Sequence, residues 1–117
     1  MYHAVTQRLA MAGAPSPNPA QEFTRAAALE ANNAVSFEYW LISTDGTVSV
    51  KVFLEGSNDL CNWVYISDST SGTVPGYTHV ALTGVLPWAY VRLRYEVTSA
   101  SSDQVFIRAG IEATRTA

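Results

Sequence analysis

A chain of 117 residues, 48% hydrophobic, with a formal net charge of −3 and a single cysteine, describes one globular domain; splitting it in two leaves neither half an adequate core. One cysteine excludes an intrachain disulfide and a multi-cysteine zinc site. The basic residues are scattered without a cluster, which offers nucleic acid no electrostatic footprint, and no apolar run approaches the ~20 residues that cross a bilayer.

Tyr2 to Met11 reads as a short strand, with Val5, Leu9 and Met11 as its apolar residues. It lacks a basic stretch followed by an apolar one, so no secretory signal is expected there. Gly13-Ala14-Pro15-Ser16-Pro17-Asn18-Pro19 is extended, since proline at every second position prevents a helix or a central strand. Gln21 to Asn33, with Phe23 and Leu29, reads either as a helical turn or as an edge strand. Residues 1–33 are therefore expected to form an extended N-terminal arm, and residues 34–117 a β-sandwich domain.

From Ala34 the period of two that marks strands is clear. Val35, Phe37, Tyr39 and Leu41 alternate with Ser36, Glu38, Trp40 and Ile42; Val48, Val50, Val52 and Leu54 alternate with Ser49, Lys51, Phe53 and Glu55. Asp45-Gly46 between such runs is a hairpin signal. Counting outward from it pairs Leu41 with Val50, Tyr39 with Val52 and Phe37 with Leu54, all apolar and on one face. The other face then carries Trp40, Ile42 and Phe53, more apolar surface than water alone requires, and is expected to be covered either by the N-terminal segment or a loop, or by a subunit or ligand contact.

Val64-Tyr65-Ile66 and His79-Val80-Ala81-Leu82 are short strand candidates around a Ser/Thr/Gly/Pro-rich loop, Ser67 to Gly76. Two longer strands follow. Val91, Leu93, Tyr95 and Val97 alternate with Tyr90, Arg92, Arg94 and Glu96; Val105, Ile107, Ala109, Ile111 and Ala113 alternate with Phe106, Arg108, Gly110 and Glu112. The fold class is thus all-β: a single antiparallel β-sandwich, jelly-roll-like, with an extended N-terminal arm.

Little here supports catalysis. His3 and His79 are the only histidines, and no nucleophile motif, Gly-rich phosphate loop or Rossmann fingerprint accompanies them. Glu38, Glu55, Glu96 and Glu112 occupy outward strand positions, where solubility and protection of edges explain them. Asp45, Asn58, Asp59, Asn62, Asp68 and Asp103 fall in expected turns at no calcium-loop spacing. Cys61 is expected to be a small buried hydrophobe. No cofactor is expected.

Leu54-Glu55-Gly56-Ser57-Asn58-Asp59-Leu60-Cys61-Asn62-Trp63, followed by Ala89-Tyr90-Val91-Arg92-Leu93, resembles a pattern in discoidin-like domains. There a Ser-x-Asp-Gly-x-x-Trp turn precedes a strand close to Tyr-Val-Arg-Leu. A similar pairing resembles one in small β-sandwich proteins of tailed-phage and phage-like particles. The resemblance implies that Ser57, Asn58 and Asp59 cap a tight turn and that Trp63 folds back over the adjacent sheet. Leu60 stands where the discoidin pattern has glycine, the chain is short, and the terminal cysteine pair is missing, which favours the virion type.

The function expected is that of a non-enzymatic structural subunit of an oligomeric assembly, a decoration or minor capsid-type protein, located in a virion or extracellular assembly. Its interface candidates are Trp40, Ile42, Phe53, Tyr90 and Phe106. Its expected partners are further copies of the chain or a larger scaffold such as a capsid, without nucleic acid or membrane. The alternative is a carbohydrate- or surface-binding module using Trp40, Trp63, Trp88 and Tyr77 as stacking rings, with a glycan as partner.

Overall fold

A computed structural model describes residues 2–12, 20–44, 48–69, 76–81, 86–99 and 103–115. Its strands are β1 (Tyr2–Ala12), β2 (Ala20–Phe23), β3 (Ala27–Ala28), β4 (Ala34–Thr44), β5 (Val48–Ser57), β6 (Val64–Asp68), β7 (Gly76–Ala81), β8 (Tyr90–Ser99) and β9 (Asp103–Thr114). Among the described residues there is no helix.

The strands form two antiparallel sheets, ordered β1-β9-β4-β7 and β2-β8-β5-β6, with β3 also on β8. The pairing is nested: β1 with β9, β2 with β8, β4 with β7 and β5 with β6. A long hairpin rolled so that its halves close over each other has this order, which defines the jelly roll. The expected β-sandwich is therefore the fold, down to its jelly-roll connectivity.

Inward residues of β4, β5, β8 and β9 meet in one core. Phe37, Tyr39 and Leu41 come from β4, Val50, Val52 and Leu54 from β5, Val91, Leu93, Tyr95 and Val97 from β8, and Ile107, Ala109, Ile111 and Ala113 from β9. Each set sits at alternate positions because successive side chains on a strand point to opposite faces. Leu29 and Ala27 close one margin of the core.

The expected β4–β5 hairpin is corrected. β4 pairs β9 and β7, whereas β5 pairs β8 and β6. Phe37, Tyr39 and Leu41 thus lie opposite Ile111, Ala109 and Ile107, while Val50, Val52 and Leu54 lie opposite Val97, Tyr95 and Leu93. The turn residues Asp45 and Gly46 lie outside the described residues. Alternation fixes which side chains face the core, yet it reads the same whether the next strand lies alongside or across that core.

Residues 2–12 are extended, and β1 is hydrogen-bonded along β9. Gln21 to Asn33, left between turn and strand, supplies β2 and β3 at the margin of the other sheet. Between them Thr24 keeps contact with β8: its amide donates to the Leu93 carbonyl at 2.8 Å, and its hydroxyl accepts from the Leu93 amide at 3.0 Å. The segment expected as an arm therefore contributes strands to both sheets; the proline-rich residues 13–19 lie outside the described residues.

Candidate functional site

The outer face of β2-β8-β5-β6 is built from ladder rungs that alternate charge and ring. Gln21, Glu96 and Lys51 share one rung, Phe23, Arg94, Phe53 and Asp68 the next, and Arg92, Glu55 and Tyr65 a third. The Arg92 guanidinium lies between two rings, 4.1 Å from the Phe23 centroid and 4.1 Å from that of Trp63. Arg94 lies 4.0 Å from the centroid of Phe53, whose other neighbours are Lys51 and the edge of Tyr65. A cation over an aromatic face is attracted by the ring quadrupole, more strongly where water is excluded.

Glu55 holds the arginines in place. One carboxylate oxygen accepts from Arg92 Nε at 2.9 Å and the other from Arg94 Nε at 3.2 Å. Arg94 also donates to Glu96 at 3.0 Å, and Glu96 accepts from the Gln21 amide at 2.6 Å. At the outer edge Lys51 pairs with Asp68 at 3.6 Å, and the Tyr65 hydroxyl donates to Asp68 at 2.9 Å, a bond that raises the phenol's pKa. Lys51, Arg92 and Arg94 are thus matched by Asp68, Glu55 and Glu96. Glu55, expected among outward solubilising carboxylates, is in fact buried at 9% exposure, because both of its oxygens are covered by guanidiniums.

The turn after β5 borders this face. Ser57 Oγ accepts the amides of Asp59 and Leu60, and the Asp59 carboxylate accepts those of Cys61 and Asn62 at 2.8 Å each. Together with bonds from the Asn62 side chain and the Ser57 hydroxyl, these donors hold the Asp59 carboxyl well below the usual carboxylate range. Leu60 has φ 64°, the left-handed region that favours glycine, at the place where the discoidin pattern has one. Asn58 Oδ1 accepts the Ala89 amide at 2.9 Å, tying the turn to the start of β8. The two pieces of the sequence resemblance are therefore in contact, and Trp63 does fold back, onto Arg92. Cys61 is exposed, not buried, since the turn lifts it off the sheet.

The outer face of β1-β9-β4-β7 is different. Across β7, β4 and β9 its rungs read Tyr77–Trp40–Arg108, His79–Glu38–Gly110 and Ala81–Ser36–Glu112. Tyr77 and Trp40 are 4.9 Å apart, Arg108 lies 4.3 Å from the Trp40 centroid, and the Tyr77 hydroxyl donates to Glu38. Beyond this stack the side chains shrink. Ser36 and Ala81 are small and Gly110 has none, which leaves a groove of about 250 Å³ lined by Ser36, Glu38, Tyr77, His79 and Glu112. Among the described residues no group of His, Cys, Asp or Glu is arranged to hold a metal ion.

The interface candidates are divided between these faces. Trp40 and Phe106 stand on the outer side of β4 and β9, Phe53 and Tyr90 on that of β5 and β8. The single patch expected of Trp40 with Phe53 does not exist, because β4 and β5 belong to opposite sheets. Ile42 falls where the β4–β9 register shifts between Leu41 and Ser43, and its side chain lies outside the described residues. Of the stacking candidates, Trp63 covers Arg92, Trp88 packs on Gly56, and Trp40 is half-buried; Tyr77 is the exposed one, at 52%. Sequence reading missed the convergence of Phe23, Arg92 and Arg94, which register alone brings together; Phe23 and Tyr65 stand half-exposed there.

These features define a jelly-roll β-sandwich with one charge-balanced aromatic face and one grooved face. No family model and no curated protein matches the chain. Among solved structures it is similar to a chain in the structure of infectious bursal disease virus Gx strain, with a TM-score of 0.59 and 6% identity over 98% of this chain and 32% of that one. This chain thus spans about a third of that viral chain. It is also similar to PirA, with a TM-score of 0.53 and 9% identity over 92% of each chain. At these identities the likeness is one of fold.

Proposed function

We propose that this protein is a non-enzymatic structural subunit of an oligomeric assembly, an accessory or decoration protein of a virion or phage-like particle, and that its β2-β8-β5-β6 face packs against another copy of the chain. The observation that carries the reading is the charge-balanced array of Phe23, Arg92, Trp63, Arg94 and Phe53 around Glu55. Aromatic rings and arginine are the residues enriched in protein interfaces. Neutral pairing within the face removes the repulsion that two copies of a charged surface would meet. The fold likeness to a viral chain supports the same direction.

Light scattering across a concentration series tests it. A discrete oligomer is expected for the natural chain, and Phe23→Asp with Tyr65→Asp is expected to yield folded monomer, since both side chains are half-exposed. A monomer at every concentration sinks the self-association.

A further inference from the structure

We propose that the groove on the outer face of β1-β9-β4-β7 is a binding site for a neutral saccharide. This goes beyond the assembly reading and does not rest on it, because the groove lies on the opposite side of the sandwich.

The site is shaped by a run of small residues. Gly110 and Ser36 follow one another on adjacent rungs of β9 and β4, and Ala81 stands beside Ser36 on β7. A volume of about 250 Å³ suits one sugar ring, being below the ~300–1,000 Å³ of pockets that enclose drug-sized ligands. Tyr77 forms one wall. Its ring is half-exposed, and two contacts fix it: Trp40 packs against it at 4.9 Å, and Glu38 accepts its hydroxyl proton. A ring held in place loses little freedom when a ligand stacks on it.

The remaining lining has the mixed hydrogen-bonding character that a polyol requires. Glu38 and Glu112 accept from sugar hydroxyls, while the Ser36 hydroxyl and the His79 imidazole both donate and accept. Among the described residues the His79, Glu38 and Glu112 side chains are not grouped as a metal ion requires. The Glu38 carboxylate disfavours phosphate and sialic acid. Neutral pyranose satisfies both donors and acceptors and presents a C–H face to Tyr77.

A printed array of neutral and sialylated glycans, probed with the labelled full chain, is the first test, followed by titration of the best neutral sugar by ligand-observed NMR. Binding to a neutral glycan is expected, weakened about tenfold by Tyr77→Ala and by Glu38→Gln. Ser36→Leu, which fills the groove and leaves its charges intact, is expected to abolish binding, and Tyr77→Phe to retain most of it. Phe23→Asp, on the opposite face, is expected to bind as the natural chain does. Circular dichroism establishes that each variant is folded. The proposal is overturned if no neutral glycan binds, if sialylated glycans bind in preference, if n-butylammonium competes as well as the sugar, or if the groove variants bind unchanged. Glycan binding and oligomer mass are separate readouts, so either reading can fail alone.

Discussion

The hydroxyl of Tyr39, in one sheet, donates to Ser69 Oγ, at the end of a strand in the other, at 3.2 Å. Ser69 is buried at 3% exposure, and its Oγ also accepts the Val52 amide at 3.1 Å while its own amide donates to the Val52 carbonyl at 2.9 Å. A polar bridge thus crosses an otherwise apolar core, and it is acceptable there because its groups have partners.

Removing one end should cost less than removing the hub. Tyr39→Phe is expected to destabilise by about 1 kcal/mol, and Ser69→Ala by about 1–3 kcal/mol, because the latter removes the acceptor that both the Tyr39 hydroxyl and the Val52 amide use. Urea unfolding of the two variants checks the order. Equal losses would show that Ser69 Oγ is not the shared acceptor.

Glu55 neutralises two arginines that are themselves about four-fifths covered. Glu55→Ala is expected to cost about 2–3 kcal/mol, since it leaves the Arg92 guanidinium desolvated without its carboxylate and Arg94 with one carboxylate, Glu96, in place of two. Glu96→Ala, which removes a more exposed partner of Arg94 and of the Gln21 amide, should cost under about 1 kcal/mol. Denaturant midpoints compare the two; a Glu55→Ala loss no greater than that of Glu96→Ala refutes the central role.

Gly56 faces Trp88. A Cβ there would lie 2.5 Å from Trp88 Cδ1 and Cγ and 2.8 Å from Ile66 Cδ1. Gly56→Ala is therefore expected to displace the indole, with a red-shifted tryptophan emission and a loss of about 1–3 kcal/mol. An unchanged spectrum and midpoint would place Trp88 elsewhere.

The Asp59 carboxyl is held below its ordinary value by backbone amides of Asn62 and Cys61, then by the Asn62 and Ser57 side chains. A depressed folded pKa means that the turn is fully supported above the unfolded value of about 3.9 and loses that support as pH falls further. The stability difference between the natural chain and Asp59→Ala is thus expected to be constant near neutral pH and to shrink in acid. Thermal midpoints from pH 7 to pH 2 measure it; a difference that grows in acid contradicts the turn's geometry.

Much of the fold is legible along single strands. The alternation of Phe37, Tyr39 and Leu41, of Val50, Val52 and Leu54, and of the two last strands correctly separates core from surface, and the Ser57–Asp59 turn announces its own capping. Local chemistry decides these features. The candidate site was less legible, because Phe23 and Arg92 are far apart in the chain and neither signals an interface alone.

Side-chain period and short-range hydrogen bonds act within a few residues, so the class of fold, the inward sides of β4, β5, β8 and β9 and the capped turn are written in the chain. The choice of neighbouring strands belongs to the folded chain. Folding sent β4 and β5 to opposite sheets, set β1 beside β9, placed Trp40 and Phe53 on opposite faces, and gathered Ser36, Glu38, Tyr77 and Glu112 around one groove. Register is a property of pairs of strands, and strand pairing across the chain is settled by closing one shared core, which no single strand encodes.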